Sequence, residues 1–270
     1  MLLLLRDGSS DTARHVNRKE GITLPGCRKA LDSLGLKKGE NASLIMSRYV
    51  KNLDDKNESK RELFSAMPHA VSHAEDLYSH AFRVRHDTLS AVAVQKTFET
   101  VQPLAAGLGN SNVIEAGLAL NHIYGMPMLP GSSIKGITSH YFTRTFCGED
   151  SESPLENAGR IYEALFGKIA PEDEQEAGLL RFYDAWIVPE SVRECFMADV
   201  MTPHHANDFA DPTPINFMTV RGKFEIFIGC SDFESDRKWI EFSFSLVEEA
   251  LSNYGIGGKI RAGYGKMKRV

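Results

Sequence analysis

Gly125-Met126-Pro127-Met128-Leu129-Pro130-Gly131-Ser132-Ser133-Ile134-Lys135-Gly136 is where the chain's apolar period turns from strand to helix. Before it, Gly117 to Met128 reads as a hairpin whose arms part near Tyr124-Gly125. After it, Pro130-Gly131-Ser132-Ser133 opens a helix to about Phe146, with Ser132 or Ser133 as N-cap. Upstream, Ala91 to Val101 is rich in Val, Thr and Phe and reads as a strand, followed by the loop Gly107-Leu108-Gly109-Asn110. Downstream, a helix spans Leu155 to Phe166. Leu179–Val188, Arg193–Met201, Asn216–Arg221 and Lys223–Cys230 then alternate as strands. A helix from Asp236 to Ser252 gathers Trp239, Phe242, Leu246, Val247 and Ala250 on one side, and the strand Tyr264–Arg269 closes the chain. This order is that of an α+β fold, an antiparallel sheet with helices on one face.

The N-terminal third reads differently. Residues 8–40 mix Gly, Pro and charge, and Asn41 to Lys51 and Ser59 to Thr88 read as helices. In the second, Leu63, Phe64, Met67, Ala70, Val71, Ala74, Leu77, Tyr78 and Ala81 recur at three- and four-residue spacing, and Pro68 predicts a break or kink. The chain thus divides into a largely helical extension, residues 1–88, and a sheet-containing domain, residues 89–270.

Composition sets outer bounds. At 270 residues, 42% hydrophobic and 25% charged, the chain can bury a full core and is of ordinary soluble type. Leu2 to Leu5 is too short for a membrane span and is followed at once by Arg6 and Asp7, so it reads as a buried strand of a cytoplasmic protein. Cys27, Cys147, Cys195 and Cys230 lie far apart with no C-x-x-C, which excludes zinc ribbons and redox motifs and predicts reduced thiols. Net charge is −5, against a free-standing nonspecific nucleic-acid binder, but the average hides a division. Residues 1–148 carry +4, residues 149–248 carry −13 and residues 249–270 carry +4. Basic ends and an acidic middle suit nucleic acid on one face and protein or solvent on another. The acidic run Glu172 to Glu176 is expected to face away from any RNA.

The closing stretch, Tyr254-Gly255-Ile256-Gly257-Gly258-Lys259-Ile260-Arg261-Ala262-Gly263-Tyr264-Gly265-Lys266, has five glycines and three cations. No carboxylate falls from Leu251 onward. Gly257 and Gly258 let backbone approach a ligand, Lys259 and Arg261 beside them suit a polyanion, and Tyr264 offers a ring on which a base can stack. Lys259 and Arg261 alternate, so an extended segment would project both to one face. A nucleotide P-loop is poorly supported, because Ile260 stands where its hydroxyl residue belongs.

Gly107-Leu108-Gly109, leading through Glu115-Ala116-Gly117 to the Gly125–Gly136 stretch, closely resembles the G-x-P-x-[IL]-P-G-S-S-[IL]-K-G signature of RAMP proteins, the repeat-associated CRISPR RNA-binding superfamily. The closing loop is similar to that superfamily's second signature. Phe166-Gly167 followed by Arg181-Phe182-Tyr183-Asp184-Ala185 resembles a third segment. Asp199-Val200-Met201-Thr202-Pro203-His204-His205, with Pro214-Ile215-Asn216-Phe217 after it, is more narrowly similar to the sixth subunit of the type III-B (Cmr) RNA-guided effector complex. The resemblance implies a ferredoxin-like or RRM-like domain that binds guide RNA without cleaving it. It also implies that the protein caps the 3′ end of the guide filament, contacts neighbouring backbone and small subunits, and meets target RNA only indirectly. No cofactor and no metal are implied.

Site roles follow in part from the residues themselves. Gly131, Ser132, Ser133 and Lys135 fall at a helix N-terminus, where free amides and the macrodipole favour phosphate, and Lys135 lies on the first turn. Asp184 is expected to support packing. His204 and His205 near Asp199 have the chemistry of a general base and acid for 2′-hydroxyl attack on a phosphodiester, which needs no metal. The reading favoured is structural, hydrogen bonds that fix a rigid loop marked by Pro203 and Pro212, and the resemblance assigns no cleavage there. His69 and His73 stand four apart, but Ala70 follows His69 and no third ligand is evident, so a zinc site is not expected; His73 and His80 read as surface or interface positions. Two other readings stand beside the guide-binding one: a metal-independent RAMP endoribonuclease that processes guide precursors, and an adaptor that touches only protein.

Overall fold

The computed structural model describes residues 29–30, 33, 35–50, 56–110, 114, 116–148, 155–168, 176–201 and 214–270. Its centre is an antiparallel sheet built on β9, Lys223–Cys230. β1, Ala93–Thr100, pairs with it from Ala93 opposite Gly229 to Glu99 opposite Lys223. On the other side it takes β5, Leu180–Phe182, and β6, Ala185–Ile187, giving the order β10-β1-β9-β6-β2 with β5 also on β9. β2 is Met128–Leu129 and β10 is Met267–Arg269. Outside this sheet, β3, Gly167–Lys168, pairs with β4, Glu176–Ala177, and β7, Phe196–Met201, pairs with β8, Ile215–Val220. The fold is α+β, as the order of elements predicts.

β9 is buried at every position after Lys223, which is why its sequence is an almost unbroken apolar run. Phe224, Ile226 and Ile228 point to one face, and Glu225 and Phe227 to the other. The first face carries the expected helices, α4, Gly131–Phe146, and α6, Phe233–Asn253. Lys96 on β1, opposite Ile226, shows that α6 lies on this side: its Nζ sits 2.7 Å from Glu241 and 4.7 Å over the Phe244 ring. α4 meets α6 through Phe142 and Phe242, 6.4 Å apart and perpendicular. α5, Ala158–Phe166, packs beside α4.

The second face is not open. α1, Ala42–Arg48, α2, Lys56–His73, and α3, Glu75–Ser90, form the described part of the extension. α3 lies across the sheet as a third layer. Tyr78 stacks on Trp186 at 5.7 Å and donates its hydroxyl to the Ile187 carbonyl at 2.5 Å. Arg85 lies over the Trp186 and Phe227 rings at 4.9 and 5.3 Å, and His86 Nδ1 is 2.6 Å from Glu225. Burial pushes the Glu225 carboxyl above the usual range, against the pull of His86 and Arg85, while burial lowers the Arg85 guanidinium. One buried apolar cluster runs from Leu36 to Met267, so the extension shares the domain's core.

Several boundaries move for identifiable reasons. Pro68 sits inside α2 without ending it, and the break falls at Ala74, between α2 and α3. The expected hairpin 117–128 reduces to the bridge Leu120–Pro127, because the Ala119 amide turns to the Ala106 carbonyl. The single strand predicted over 179–188 is interrupted at Tyr183-Asp184. Neither Ser132 nor Ser133 caps α4: the helix begins at Gly131, and its cap comes from Asp184. Cys147, Cys195 and Cys230 are free thiols, and His69, His73 and His80 are exposed. Cys27, the apolar stretch at Leu2–Leu5 and the residues 202–213 that carry His204 and His205 lie outside the described residues. No described helix is long and apolar enough to cross a membrane.

Candidate RNA-binding surface

The closing loop is held by its own backbone. Ile256 donates to the Gly265 carbonyl, Gly258 to Ala105 and Gly265 to Pro103, each at 2.9 Å, while Val101 and Gln102 donate to Lys266. The loop is thus laced to the segment that follows β1. Gly265 is fixed by its neighbours: a Cβ there would lie 2.1 Å from the Ile256 carbonyl oxygen, and its φ is +84°. Lys259 takes the left-handed conformation at φ 57°, and a single 3-10 turn, Ile260–Ala262, follows. The segment is therefore not extended, and Lys259 and Arg261 do not alternate as along a strand. Both remain exposed, and neither has an ion-pair partner among the described residues. Gly258 departs from its expected part. Its φ is not left-handed, its amide is engaged by Ala105, and a Cβ added there would lie 3.1 Å from Leu108, so it seats the loop. Gly257, at φ 94°, is exposed on the loop surface.

Tyr264 is half-buried. Its hydroxyl donates to Asp199 Oδ2 at 2.7 Å, and its ring tilts against Phe217 at 5.8 Å. Ala105, Ala116 and Phe217 form a small separate cluster on which Leu108, Met201 and Tyr264 pack. The hydrogen bond to Asp199, and then burial, push the phenol above its ordinary value. Asp199 also accepts from the Val200 amide at 2.8 Å. The ring expected to receive a base thus ties the closing loop to the β7–β8 hairpin.

The start of α4 is built around a carboxylate. Gly131 donates its amide to Asp184 Oδ1 at 2.8 Å, and Arg85 Nη2 donates to the Asp184 carbonyl at 2.5 Å. Gly131 is pressed on β5 so closely that a Cβ would lie 2.2 Å from the Phe182 carbonyl oxygen. A negative charge therefore occupies the place where a phosphate was expected at Gly131, and Asp184 has the structural role read from the sequence. Ser132 and Ser133 are exposed, and the Ser133 amide donates to Pro130. Lys135 turns into a groove shared with Lys168 and Arg181. α4 follows β2 at one edge of the sheet and the closing loop precedes β10 at the other, so the two predicted clusters form separate surfaces. Neither Arg181 nor Lys168 was expected beside Lys135, although Arg181 opens the segment Arg181–Ala185 and Lys168 directly follows Phe166-Gly167.

Comparison with known proteins finds relatives of this chain. The chain is 28% identical over 251 residues to the CRISPR system Cmr subunit Cmr6 of Pyrococcus furiosus, covering 72% of this chain and 73% of that protein. Its fold superposes on a chain in the cryo-EM structure of the type III-B Cmr-beta complex bound to cognate target RNA. The TM-score is 0.55 and the identity 20%, over 73% of this chain and 66% of the other. The crystal structure of Cmr6 from Pyrococcus furiosus aligns with a TM-score of 0.41 at 28% identity, over 66% and 98% of the two chains. The sequence profile of the RAMP superfamily matches residues 97–268, from within β1 into β10. That span holds both glycine loops, the start of α4 and the Asp184 turn, and the chain belongs to the RAMP superfamily.

Proposed function

We propose that this chain is a guide-RNA-binding subunit of a type III-B CRISPR effector complex, and that it binds without cleaving. The observation that carries the reading is the closing loop, a rigid backbone frame that presents Lys259 and Arg261 to solvent without carboxylate partners among the described residues. Such a frame suits phosphates of any sequence, because it offers charge and no base-reading edge. The similarity to Cmr6 supports the choice of complex. In that complex the chain caps the 3′ end of the guide filament, meets backbone and small subunits, and touches target RNA only indirectly.

The test is guide occupancy of reconstituted complexes across a salt series. Replacing Lys259 and Arg261 with alanine should weaken retention for all guide sequences alike and lower the salt slope by about 1.4, since each phosphate no longer neutralised takes away about 0.7. Unchanged occupancy and slope would make the loop purely structural. Labelled guide precursor and target RNA, incubated with the purified chain with and without Mg²⁺, should remain intact. Specific cleavage that disappears in His204→Ala or His205→Ala would establish the endoribonuclease reading instead.

A further inference from the structure

The inner side of α3 is fixed to the sheet by Tyr78, Arg85 and His86, so the helix cannot roll. Its outer side presents Asp76, Leu77, His80, Arg83, Val84 and Asp87, all exposed. Leu77 and Val84 are 65% and 53% exposed, more than any other large apolar side chain in a described helix. They stand seven residues apart, two turns along one side, and so form a single stripe. Asp76 and Arg83 repeat that spacing one position to the side. Neither has an ion-pair partner among the described residues, and nor has Asp87. The acidic neighbour Glu75 is already engaged by Arg193 at 2.7 Å.

We propose that this stripe is a self-pairing surface, through which two copies of the chain join with their α3 helices antiparallel about a two-fold axis near His80. Two-fold pairing sets residue i against j and j against i. With the axis at His80, Leu77 of one copy lies against Val84 of the other, and Arg83 reaches Asp76, each contact being made twice. Asp87 falls opposite the joint between α2 and α3 of the second copy. The charges favour a second copy over a partner of one sign, because reversing the helix exchanges the guanidinium at Arg83 for the carboxylate at Asp76. A parallel pair would instead set each charge against its like. The contact covers about three turns of helix and belongs to the weak class of interface, below about 1,200 Å² in total, so the pair is reversible. It leaves α4 and α6 free on the other face of the sheet. The inference does not depend on the guide-binding reading.

The experiment is sedimentation equilibrium of the full chain, freed of RNA by nuclease, over a range of concentrations. The weight-average mass should climb with concentration toward twice that of the chain, and Leu77→Ser/Val84→Ser should hold it at the monomer. Arg83→Glu sets carboxylates against each other at both ends of the contact, and Asp76→Arg does the same with guanidinia. Each should weaken pairing about tenfold. An equimolar mixture of these two variants should recover the pair, because the carboxylates of one then face the guanidinia of the other. The side chains replaced are all exposed, and an unchanged circular-dichroism spectrum confirms that each variant is folded. If Leu77→Ser/Val84→Ser still pairs, a different face joins the copies and the proposal falls. A mixture no tighter than either charge variant alone refutes the antiparallel register. An unsubstituted chain that stays monomeric at its highest soluble concentration overturns the proposal. Should Leu77→Ser/Val84→Ser then lose its place in reconstituted complexes, the stripe belongs to another subunit.

Discussion

Gly131 and Gly136 stand five residues apart in α4, and alanine at the two positions should move stability in opposite directions. At Gly131 the new Cβ would sit 2.2 Å from the Phe182 carbonyl oxygen. A carbon and a carbonyl oxygen come to rest near 3.3 Å, so the start of α4 must retreat from β5 by about 1 Å. That retreat carries the Gly131–Asp184 bond from 2.8 Å beyond hydrogen-bonding distance. Loss of a bond to an exposed carboxylate costs about 1–2 kcal/mol, residual crowding about 1–3, and better helix propensity returns just under 1. The net loss is about 1–4 kcal/mol, which for a chain of this size lowers the melting temperature by roughly 2–15 °C. At Gly136 nothing lies within 4 Å of the added methyl, so alanine should stabilise by about 0.5–1 kcal/mol. Thermal and denaturant unfolding of both variants decides the matter. Adding Asp184→Ala to Gly131→Ala should cost little more, because the bond is already broken. If Gly131→Ala melts with the unsubstituted protein, or Gly136→Ala falls as far as it does, the packing argument for the start of α4 is wrong.

Tyr264→Phe removes the bond to Asp199 at a half-exposed site and should cost about 1 kcal/mol at neutral pH. Because the folded-state pKa of the phenol is raised, this stabilisation is complete below about pH 10 and is lost as pH rises through the folded value. Denaturant unfolding of the two proteins should therefore converge in strong alkali. Arg85→Met keeps the packing over Trp186 and Phe227 but leaves buried Glu225 with His86 alone, at a cost of about 3 kcal/mol at neutral pH. The Glu225 pKa is already raised and would rise further, so the deficit should shrink on acidification as the carboxyl takes up a proton; a deficit that grows instead would contradict the assignment.

What the sequence disclosed and what it concealed follow a physical division. β9 and α6 were legible because their signal is periodic and local: an unbroken apolar run, and one apolar stripe of a helix. The start of α4 was misread because Ser132 and Ser133 satisfy the local rule for a cap, whereas the acceptor that prevails is Asp184, 53 positions away. Tyr264 was read as a free ring for the same reason, since its partner Asp199 lies 65 positions off. The glycine content of the closing loop disclosed close backbone approach but not its object, which for Gly258 is Ala105 and not a ligand. The third layer left one clue, Glu225 as a lone charge inside an apolar strand. A carboxylate so placed demands a counter-charge, which Arg85 supplies from α3, with His86 Nδ1 at 2.6 Å beside it.

The seating of α3 also gives the protein an optical signal. The chain has two tryptophans, Trp186 and Trp239, and they report on different layers. Trp186 meets both the Tyr78 ring and the Arg85 guanidinium, whereas Trp239 lies on α6 beside Phe242 at 6.3 Å. In a Trp239→Phe background the remaining emission would come from the joint between the extension and the sheet. Its wavelength and quenching would show directly whether that joint stays closed as the chain takes up RNA or meets its neighbours.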